Sequence, residues 1–239
     1  MLDVSRIKAI TIDLDDTLWP IWPCIERAEK VLHEWLVINA PLTAALFTSA
    51  EALREIRQHM THHRPDLKHD LSALRRESIR MALERAGEDP LLAEHAFEVF
   101  FAERQNVTPF EDVLPALEFL CARYPLVSLS NGNADLVRVG MARYFRAAIS
   151  AREFGVPKPD ARIFHAAADA AAVRPEDVLH VGDDVLLDVL AAQNAGMQAA
   201  WINRGETPWP HDGQAPEVEC FSLSELCGLL KRNSEGDTY

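Results

Sequence analysis

Short, almost continuous runs of apolar residues recur along the chain, and segments with helical periodicity separate most of them. The first run, Ile7–Leu14, is rich in β-branched side chains, which is typical of a strand buried on both faces of a parallel sheet. Similar runs follow at Leu126–Ser130, Ala147–Ser150, Val178–Gly182, Ala199–Asn203 and Val218–Phe221. Helices are predicted at Asp112–Arg123, Ala134–Tyr144, Asp160–Ala172, Val185–Ala195 and Ser222–Lys231. This alternation predicts a doubly wound, mostly parallel, Rossmann-like α/β sheet.

One long segment interrupts the alternation. Between about Ile25 and Gln105 no strand is predicted, and the apolar spacing indicates four amphipathic helices instead. Their predicted bounds are Ile25–Ile38, Thr43–His59, Leu71–Ala86 and Pro90–Arg104. We therefore expect two domains, an α/β core formed by residues 1–20 and 106–239 and an inserted α-helical cap formed by residues 21–105.

The net charge of the chain limits the classes of molecule that it is expected to bind. The 239 residues carry a formal net charge of −13, which makes nucleic acids and anionic membranes poor partners. The longest uncharged stretch, Trp35–Ala50, is too short and too polar to span a bilayer. No leader peptide is expected ahead of Ile7, and the four cysteines lack zinc-site spacing. These features favour a cytoplasmic monomer or homodimer with reduced cysteines that acts on a small molecule.

Carboxylates follow two of the predicted strands. Asp13, Asp15 and Asp16 come at the end of the first strand, and Asp183 and Asp184 follow Val178–Gly182. Ligands of open α/β sheets bind beyond the carboxyl ends of the strands. Such a cluster is stable mainly when a cation neutralises it, and hard oxygen ligands that share their ion with a phosphate suit Mg²⁺. The pattern therefore predicts a magnesium site.

Two further segments complete a candidate phosphoryl site. Ser130 offers a hydroxyl after the second core strand, and the amides of Asn131 and Gly132 can form an anion-binding turn. Lys158 lies between two prolines that stiffen its backbone, and a fixed ammonium can pair with both a nucleophile and phosphoryl oxygens. Each segment alone is weak, because a turn, a solvated lysine or a helix-capping aspartate explains it equally well.

The order of these segments resembles that of the haloacid dehalogenase superfamily. The segments DLDDT, SNG, KP and GDD with a later aspartate cover essentially the whole chain, and the helical insertion resembles the cap of that superfamily. The resemblance implies that Asp13 attacks phosphorus to form an aspartyl-phosphate, and that Asp15 acts as general acid and then as general base. It also implies Mg²⁺ held by Asp13, the Asp15 carbonyl and Asp183, with Thr17 and Ser130 stabilising phosphoryl oxygens or the loop.

The resemblance gives the remaining acids lesser roles. Asp184 stands where many members have serine, so it is treated as a secondary site, and Asp188 is expected to orient its neighbours. Ser130–Ala134, His180–Asp184 and Gly196–Ile202 are similar to the branch that hydrolyses flavin mononucleotide and 5-amino-6-(5-phosphoribitylamino)uracil.

Substrate specificity is expected on the cap and on the segment that follows the first strand. The candidate residues there are Trp19, Trp22, His69 and Arg75. Trp19 and Trp22 offer ring surfaces, although a packed hinge explains them as well. His69 and Arg75 offer hydrogen-bond donors, although a solvated helix face explains them equally well.

Three alternatives to a phosphatase remain open. A dehalogenase would use the same aspartate on carbon, but a halide leaving group needs no acid such as Asp15. A phosphate-accepting receiver domain shares the acidic residues and the lysine, but it places the nucleophile on a later strand and has no helical insertion. A binding protein that has lost turnover would not need Asp13, Asp15, Lys158 and Asp183 together.

Overall fold

The computed structural model describes residues 2–211 and 213–235, which divide into two compact units. An α/β unit contains the chain up to Trp19, Thr108–Gly132 and the chain from Leu136 onward. A helical unit contains Pro20–Val107 together with Asn133–Asp135. The second stretch of the helical unit consists of only three residues. The sequence pattern had predicted these three residues as part of the α/β core.

The α/β unit is built on one six-stranded sheet in which every described pairing is parallel. Its strands are β1 (Ala9–Ile12), β2 (Leu126–Ser130), β3 (Ala147–Ser150), β4 (Val178–Gly182), β5 (Gln198–Ile202) and β6 (Val218–Cys220). They lie in the order β3-β2-β1-β4-β5-β6. This confirms the predicted doubly wound parallel sheet.

The strand order places a switch point between β1 and β4. The chain moves outward from β1 through β2 to β3 on one side, and from β4 through β5 to β6 on the other. Doubly wound sheets bind their ligands in the crevice at such a point, beyond the carboxyl ends of the strands. Every residue of β1, β2 and β4 is buried, which explains their continuous apolar runs.

The helices of the helical unit pack around an apolar core of their own. They are α1 (Ile21–Asn39), α2 (Pro41–Leu46), α3 (Ala50–His63), α4 (Leu71–Ala86) and α5 (Leu92–Arg104). Fully buried members of the core include Leu32, Leu83 and Phe97. The segment Thr43–His59 was predicted as one helix and is wrong as such, because the Ser49 side chain caps a new helix at the amide of Ala52.

The helices of the α/β unit are shorter and more irregular. They are α6 (Val113–Cys121), α7 (Leu136–Val139), α8 (Ala151–Phe154), α9 (Ala161–Ala171), α10 (Ala191–Asn194) and α11 (Leu223–Glu235). The prediction of one helix over Ala134–Tyr144 is wrong, because Gly140 has a φ of +82° and separates α7 from a 3₁₀ turn. A π-helical turn, Val185–Leu190, leads into α10. Within the residues described, no helix combines the length and the apolar character needed to cross a bilayer.

Candidate active site

Two carboxylates lie at the switch point, where β1 and β4 end side by side. Asp13 follows β1, and its amide donates to the carbonyl oxygen of Val181 in β4 over 2.9 Å. Asp183 follows β4 directly. Asp13 is only 7% exposed. Pairing within the sheet therefore fixes the backbone position of Asp13.

A single buried ammonium links Asp13 to a second acid. Lys158 Nζ lies 2.7 Å from Asp13 Oδ1 and 2.5 Å from Asp188 Oδ1. Burial alone would lower the pKa of Lys158, but the two carboxylate charges raise it above its ordinary value, so the ammonium stays charged. Burial would likewise raise the pKa of Asp188, yet Lys158 lowers it well below its usual range. Burial also raises the pKa of Asp13 well above its ordinary value, although the charge of Lys158 opposes this shift.

The loop after β2 positions Lys158 through a side-chain amide. Asn131 Nδ2 donates to the Lys158 carbonyl oxygen over 3.0 Å, and Asn131 Oδ1 accepts from the Lys158 amide over 2.8 Å. Asn131 was predicted to contribute its amide to an anion-binding turn, and its side chain is bound to the Lys158 backbone. Ser130 Oγ accepts from the Gly132 amide over 2.9 Å, which leaves the hydroxyl hydrogen to be donated to another acceptor.

Two strand residues that the sequence analysis had not selected support Asp188. Thr11 of β1 and His180 of β4 are paired in register, and Thr11 Oγ1 lies 2.8 Å from His180 Nδ1. His180 Nε2 lies 3.0 Å from Asp188 Oδ1. An ionised carboxylate only accepts, so Nε2 carries the hydrogen and Nδ1 accepts from Thr11. Burial lowers the pKa of His180, which keeps this tautomer neutral. Only the register of a parallel pair brings these residues together, and sequence does not supply it.

A buried indole holds the second carboxylate of the first motif. Trp19 is fully buried, and its Nε1 donates to Asp15 Oδ1 over 2.9 Å. An indole enclosed in this way offers no ring face to a substrate, so the stacking interpretation of Trp19 is not retained.

Thr17 orients the acid that follows β4. Its hydroxyl is fully buried and donates to Asp183 Oδ1 over 2.9 Å. Arg204 Nη2 donates to the Thr17 carbonyl oxygen over 3.0 Å, and Arg204 also forms an ion pair with Asp112 at 3.0 Å. Thr17, which was predicted to stabilise phosphoryl oxygens or the loop, thus accepts from Arg204 through its carbonyl oxygen and directs its hydroxyl toward Asp183.

The carboxylates at the switch point suit a divalent cation. Asp13, Asp183 and Asp188 each offer an oxygen, and these three atoms lie within 4.8 Å of one another. Burial, followed by the charge of Asp188, raises the pKa of Asp183 to about 7, which indicates that its charge is poorly compensated. Lys158 supplies one positive charge against three carboxylates. This hard, oxygen-only set fits Mg²⁺ or a similar ion.

The raised pKa of Asp183 predicts a pH dependence of metal binding. A cation must displace the proton from Asp183, so the apparent Mg²⁺ affinity should increase up to tenfold per pH unit below about 7 and level off above it. Titration calorimetry across this range measures the effect. The hydrogen bond from Thr17 opposes the shift, so Thr17→Val should move the plateau to higher pH. An affinity that does not change with pH would contradict a carboxylate with this pKa in the site.

Asp184 serves chiefly as a helix cap. Its Oδ1 accepts from the amides of Leu186 and Leu187, each over 2.8 Å, at the start of the π-helical turn. Its own amide donates to Asp188 Oδ2 over 3.1 Å. Capping was the structural alternative to a secondary site for this residue, and these contacts favour it.

The predicted specificity residues of the helical unit differ in exposure. Arg75 is 3% exposed, forms an ion pair with Glu29 at 3.2 Å and stacks over the ring of Phe100 at 4.0 Å. These buried contacts make Arg75 part of the packing of the helical unit rather than a substrate contact. Trp22 is 49% exposed and His69 is partly exposed, so both stay predicted specificity residues.

The backbone at Gly132 leaves no space for a side chain next to Asp15. A β carbon added there would lie 2.3 Å from Asp15 Oδ2 and 3.2 Å from Ser130 Oγ. We expect Gly132→Ala to rotate the Asp15 carboxylate. With Asp15 as the general acid that the resemblance implies, kcat should fall about 100-fold, the typical cost of a displacement of about 1 Å. Steady-state kinetics measures this loss.

Gly228→Ala is the matched control for Gly132→Ala. Gly228 lies in α11, and an added β carbon would meet nothing within 4 Å. That variant should leave kcat unchanged and increase the free energy of unfolding by about 0.5–1 kcal/mol. Equal kcat in the two variants would show that Gly132 does not constrain Asp15.

Comparisons with known proteins agree on one family. A family model described as haloacid dehalogenase-like hydrolase matches residues 7–196. The chain is similar to the 5-amino-6-(5-phospho-D-ribitylamino)uracil phosphatase YigB of Escherichia coli, at 32% identity over 95% of this chain and 98% of that protein. A glyceraldehyde 3-phosphate phosphatase of Methanopyrus kandleri is 30% identical over 94% and 97% of the two chains. A crystal structure of a 2-haloacid dehalogenase from Pseudomonas syringae matches with a TM-score of 0.87 and 41% identity, covering 95% and 99%.

Proposed function

Because this chain belongs to the haloacid dehalogenase-like hydrolases, we propose that it hydrolyses phosphomonoesters with the help of Mg²⁺ and through a phosphorylated Asp13. The observation that carries this proposal is the second carboxylate, Asp15, which is fixed by Trp19 and lies against Gly132. Transfer of a phosphoryl group from an alcohol requires an acid for the leaving oxygen, and we assign this role to Asp15.

The first half of the reaction transfers the phosphoryl group to Asp13. Lys158 holds Oδ1 of Asp13, so we assign the attack to Oδ2. The new bond joins Oδ2 to phosphorus while the bond from phosphorus to the ester oxygen breaks. Asp15 gives its proton to that oxygen, which leaves as an alcohol. Lys158 and the Ser130 hydroxyl stabilise the negative charge on the phosphoryl oxygens.

The second half of the reaction releases inorganic phosphate. Asp15, now ionised, takes a proton from a water molecule whose oxygen attacks phosphorus, and the bond between phosphorus and Asp13 breaks. The products are phosphate, a regenerated Asp13 carboxylate and a protonated Asp15. One residue therefore acts as acid and then as base, and the proton balance closes over the cycle.

The residues that would hold Mg²⁺ are the carboxylates of Asp13 and Asp183 and the carbonyl oxygen of Asp15. Bound there, the cation would offset the carboxylate charges that otherwise repel a phosphate. Asp188 is already held by Lys158, His180 and the Asp184 amide, so we assign it to orienting Lys158. Asn131 and Gly132 shape the loop beside the phosphoryl group.

The similarity to a dehalogenase structure makes haloacid hydrolysis a second candidate. In that reaction the same aspartate would attack carbon and displace a halide, which leaves without a proton. Asp15 would then have no proton to donate to a leaving group. An assay with a 2-haloacid such as 2-chloropropionate, with halide release as the readout, separates the two candidates.

The natural substrate is proposed to be a small phosphorylated metabolite. The two phosphatase relatives act on a ribitylamino-uracil phosphate and on a triose phosphate, according to their names. We place 5-amino-6-(5-phosphoribitylamino)uracil and flavin mononucleotide first, with Trp22 and His69 as contacts for the end of the substrate away from phosphate. The four free cysteines fit a cytoplasmic enzyme.

A panel of phosphorylated metabolites with released phosphate as the readout tests the proposal. We expect turnover that disappears with excess chelator and returns with Mg²⁺. Full activity after verified metal removal would contradict the role of the cation. Halide release without phosphate release would show that the protein is a dehalogenase rather than a phosphatase. A panel in which sugar phosphates exceed both ring compounds would overturn only the substrate assignment.

A further inference from the structure

The chain after β1 folds into a tight turn that brings Trp19 back to Asp15. The Asp16 amide donates to the Trp19 carbonyl oxygen over 2.8 Å, and the Leu18 amide donates to the Leu14 carbonyl oxygen over 2.8 Å. Asp16 adopts a left-handed φ of +60°, which is uncommon outside glycine, asparagine and aspartate. An isolated bridge pairs Asp15 with Trp19. The backbone of this turn thus brings the Trp19 side chain next to the Asp15 carboxylate.

The Asp15 carboxylate is constrained on both of its oxygens. Trp19 Nε1 donates to Oδ1 over 2.9 Å, and the ring of Trp19 is fully buried. On the other side, the Gly132 backbone lies so close to Oδ2 that an added β carbon would approach it to 2.3 Å. Rotation of the carboxylate would therefore break the indole hydrogen bond or drive Oδ2 against its neighbours.

The chemistry of the indole makes this contact directional. An indole N–H donates and never accepts, so the oxygen that faces it must keep a lone pair available in both protonation states of Asp15. In the protonated acid the carbonyl oxygen is a stronger acceptor than the hydroxyl oxygen, so the indole favours the arrangement in which Oδ1 is the carbonyl oxygen and Oδ2 bears the proton. Trp19 thereby selects the oxygen that exchanges the proton with the leaving group and with water.

We propose that Trp19 is a positioning residue for the acid–base step, which fixes Oδ1 of Asp15 through its indole N–H and assigns proton transfer to Oδ2. This inference rests on the proposed phosphatase function. It differs from a packing role, which would require the volume of the indole but not its N–H.

The test measures the first chemical step with two leaving groups. Release of the leaving group in a single turnover is followed for an alkyl phosphate, whose alkoxide needs a proton, and for p-nitrophenyl phosphate, whose phenolate does not. Trp19 is replaced by phenylalanine and, in a second variant, by 3-benzothienylalanine, which keeps the shape of the indole and lacks the N–H. We expect both variants to slow the alkyl phosphate about 10–100-fold and p-nitrophenyl phosphate by less than about threefold.

Trp209→Phe is the matched control. The Trp209 indole also donates one hydrogen bond, over 2.7 Å to the Gln214 carbonyl oxygen, in a loop that carries no proposed catalytic group. This variant should leave both rates unchanged. Two results would overturn the positioning role. One is that the Trp19 variants slow the reactions of both substrates by the same factor. The other is that the benzothienyl variant reacts with both substrates as fast as the native protein.

A double-variant cycle separates this inference from the proposed function. If Trp19 acts only through Asp15, then Trp19→Phe should change the alkyl phosphate rate little in an Asp15→Asn background. A full additional loss in that background would overturn the inference. If Asp15→Asn itself shows no dependence on the leaving group, the acid role of Asp15 fails and this inference fails with it, whereas the proposed phosphatase function fails only if the native protein releases no phosphate.

Discussion

Replacing Asp13 by asparagine is expected to lower kcat about 10⁴-fold or more while the protein stays folded. The amide nitrogen cannot attack phosphorus, and the amide oxygen is a far weaker nucleophile than a carboxylate. That oxygen can nevertheless still accept the hydrogen bond from Lys158, so the packing at the switch point survives. Burial raises the pKa of Asp13, so its charge is costly in the absence of a cation. In chelator the variant should therefore be at least as stable as the native protein.

Asp177→Asn is the matched control for this variant. Asp177 is 5% exposed, but it precedes β4 at the opposite end of the sheet, where Lys8 and Arg174 bind it. This variant should keep kcat. Rapid acid quench with labelled substrate should trap a phosphorylated native protein and none of the Asp13→Asn variant. A trapped phospho-protein in that variant would assign the nucleophile to another residue.

Replacing Lys158 by methionine is expected to reduce both catalysis and stability. The variant leaves Asp13 and Asp188 buried without their shared ammonium, and breaking a buried pair in this way typically costs about 3–5 kcal/mol. Loss of a preorganised charge beside the phosphoryl oxygens should lower kcat about 10²–10³-fold. Chemical denaturation and steady-state kinetics measure the two effects.

The pH dependence of this loss has a definite sign. Without Lys158, burial raises the pKa of both carboxylates in the folded state above the unfolded values. A carboxyl group whose pKa is raised in the folded state contributes to stability at low pH. This contribution disappears as the pH increases through the folded pKa. The difference in unfolding free energy between Lys158→Met and the native protein should therefore shrink as the pH decreases. A constant difference would show that the lost ion pair is not its cause.

Lys8→Met provides the matched control for Lys158→Met. The Lys8 side chain is 59% exposed and contacts one carboxylate, Asp177, at 3.1 Å. An exposed pair of this kind contributes at most about 1 kcal/mol, so stability should fall little and kcat should not change. The contrast isolates burial, rather than loss of a lysine, as the source of the effect.

Sequence predicted the sheet better than the helices. Val178–Gly182 and Leu126–Ser130 have the bounds that their apolar runs indicated, because strands buried on both faces leave an almost continuous apolar run. The helix expected over Ala134–Tyr144 failed at Gly140, whose left-handed φ ends α7. Periodicity records which side of a segment is apolar, but it does not record where the backbone turns.

Sequence also located the acidic residues better than their partners. Asp13 and Asp183 were expected to meet because the carboxyl ends of parallel strands share one edge of the sheet. The partners of these acids depend on contacts that no spacing reveals, such as the indole of Trp19 on Asp15 and the hydroxyl of Thr17 on Asp183. A substrate contact had been one interpretation of each residue, beside a packed hinge for Trp19 and stabilisation of the loop for Thr17, since such side chains are the usual ones for ring and phosphate contacts.

The central position of β1 has a consequence for how the protein is made. Although β1 is the first strand along the chain, it pairs with β4, and 169 positions separate Thr11 from His180 in that pair. At roughly 5–20 residues per second, a ribosome needs on the order of ten to thirty seconds to add them. During this interval the four residues of β1, three of them apolar, have no β4 strand to pair with. The active site is therefore completed late in synthesis, after most of the helical unit has had time to fold.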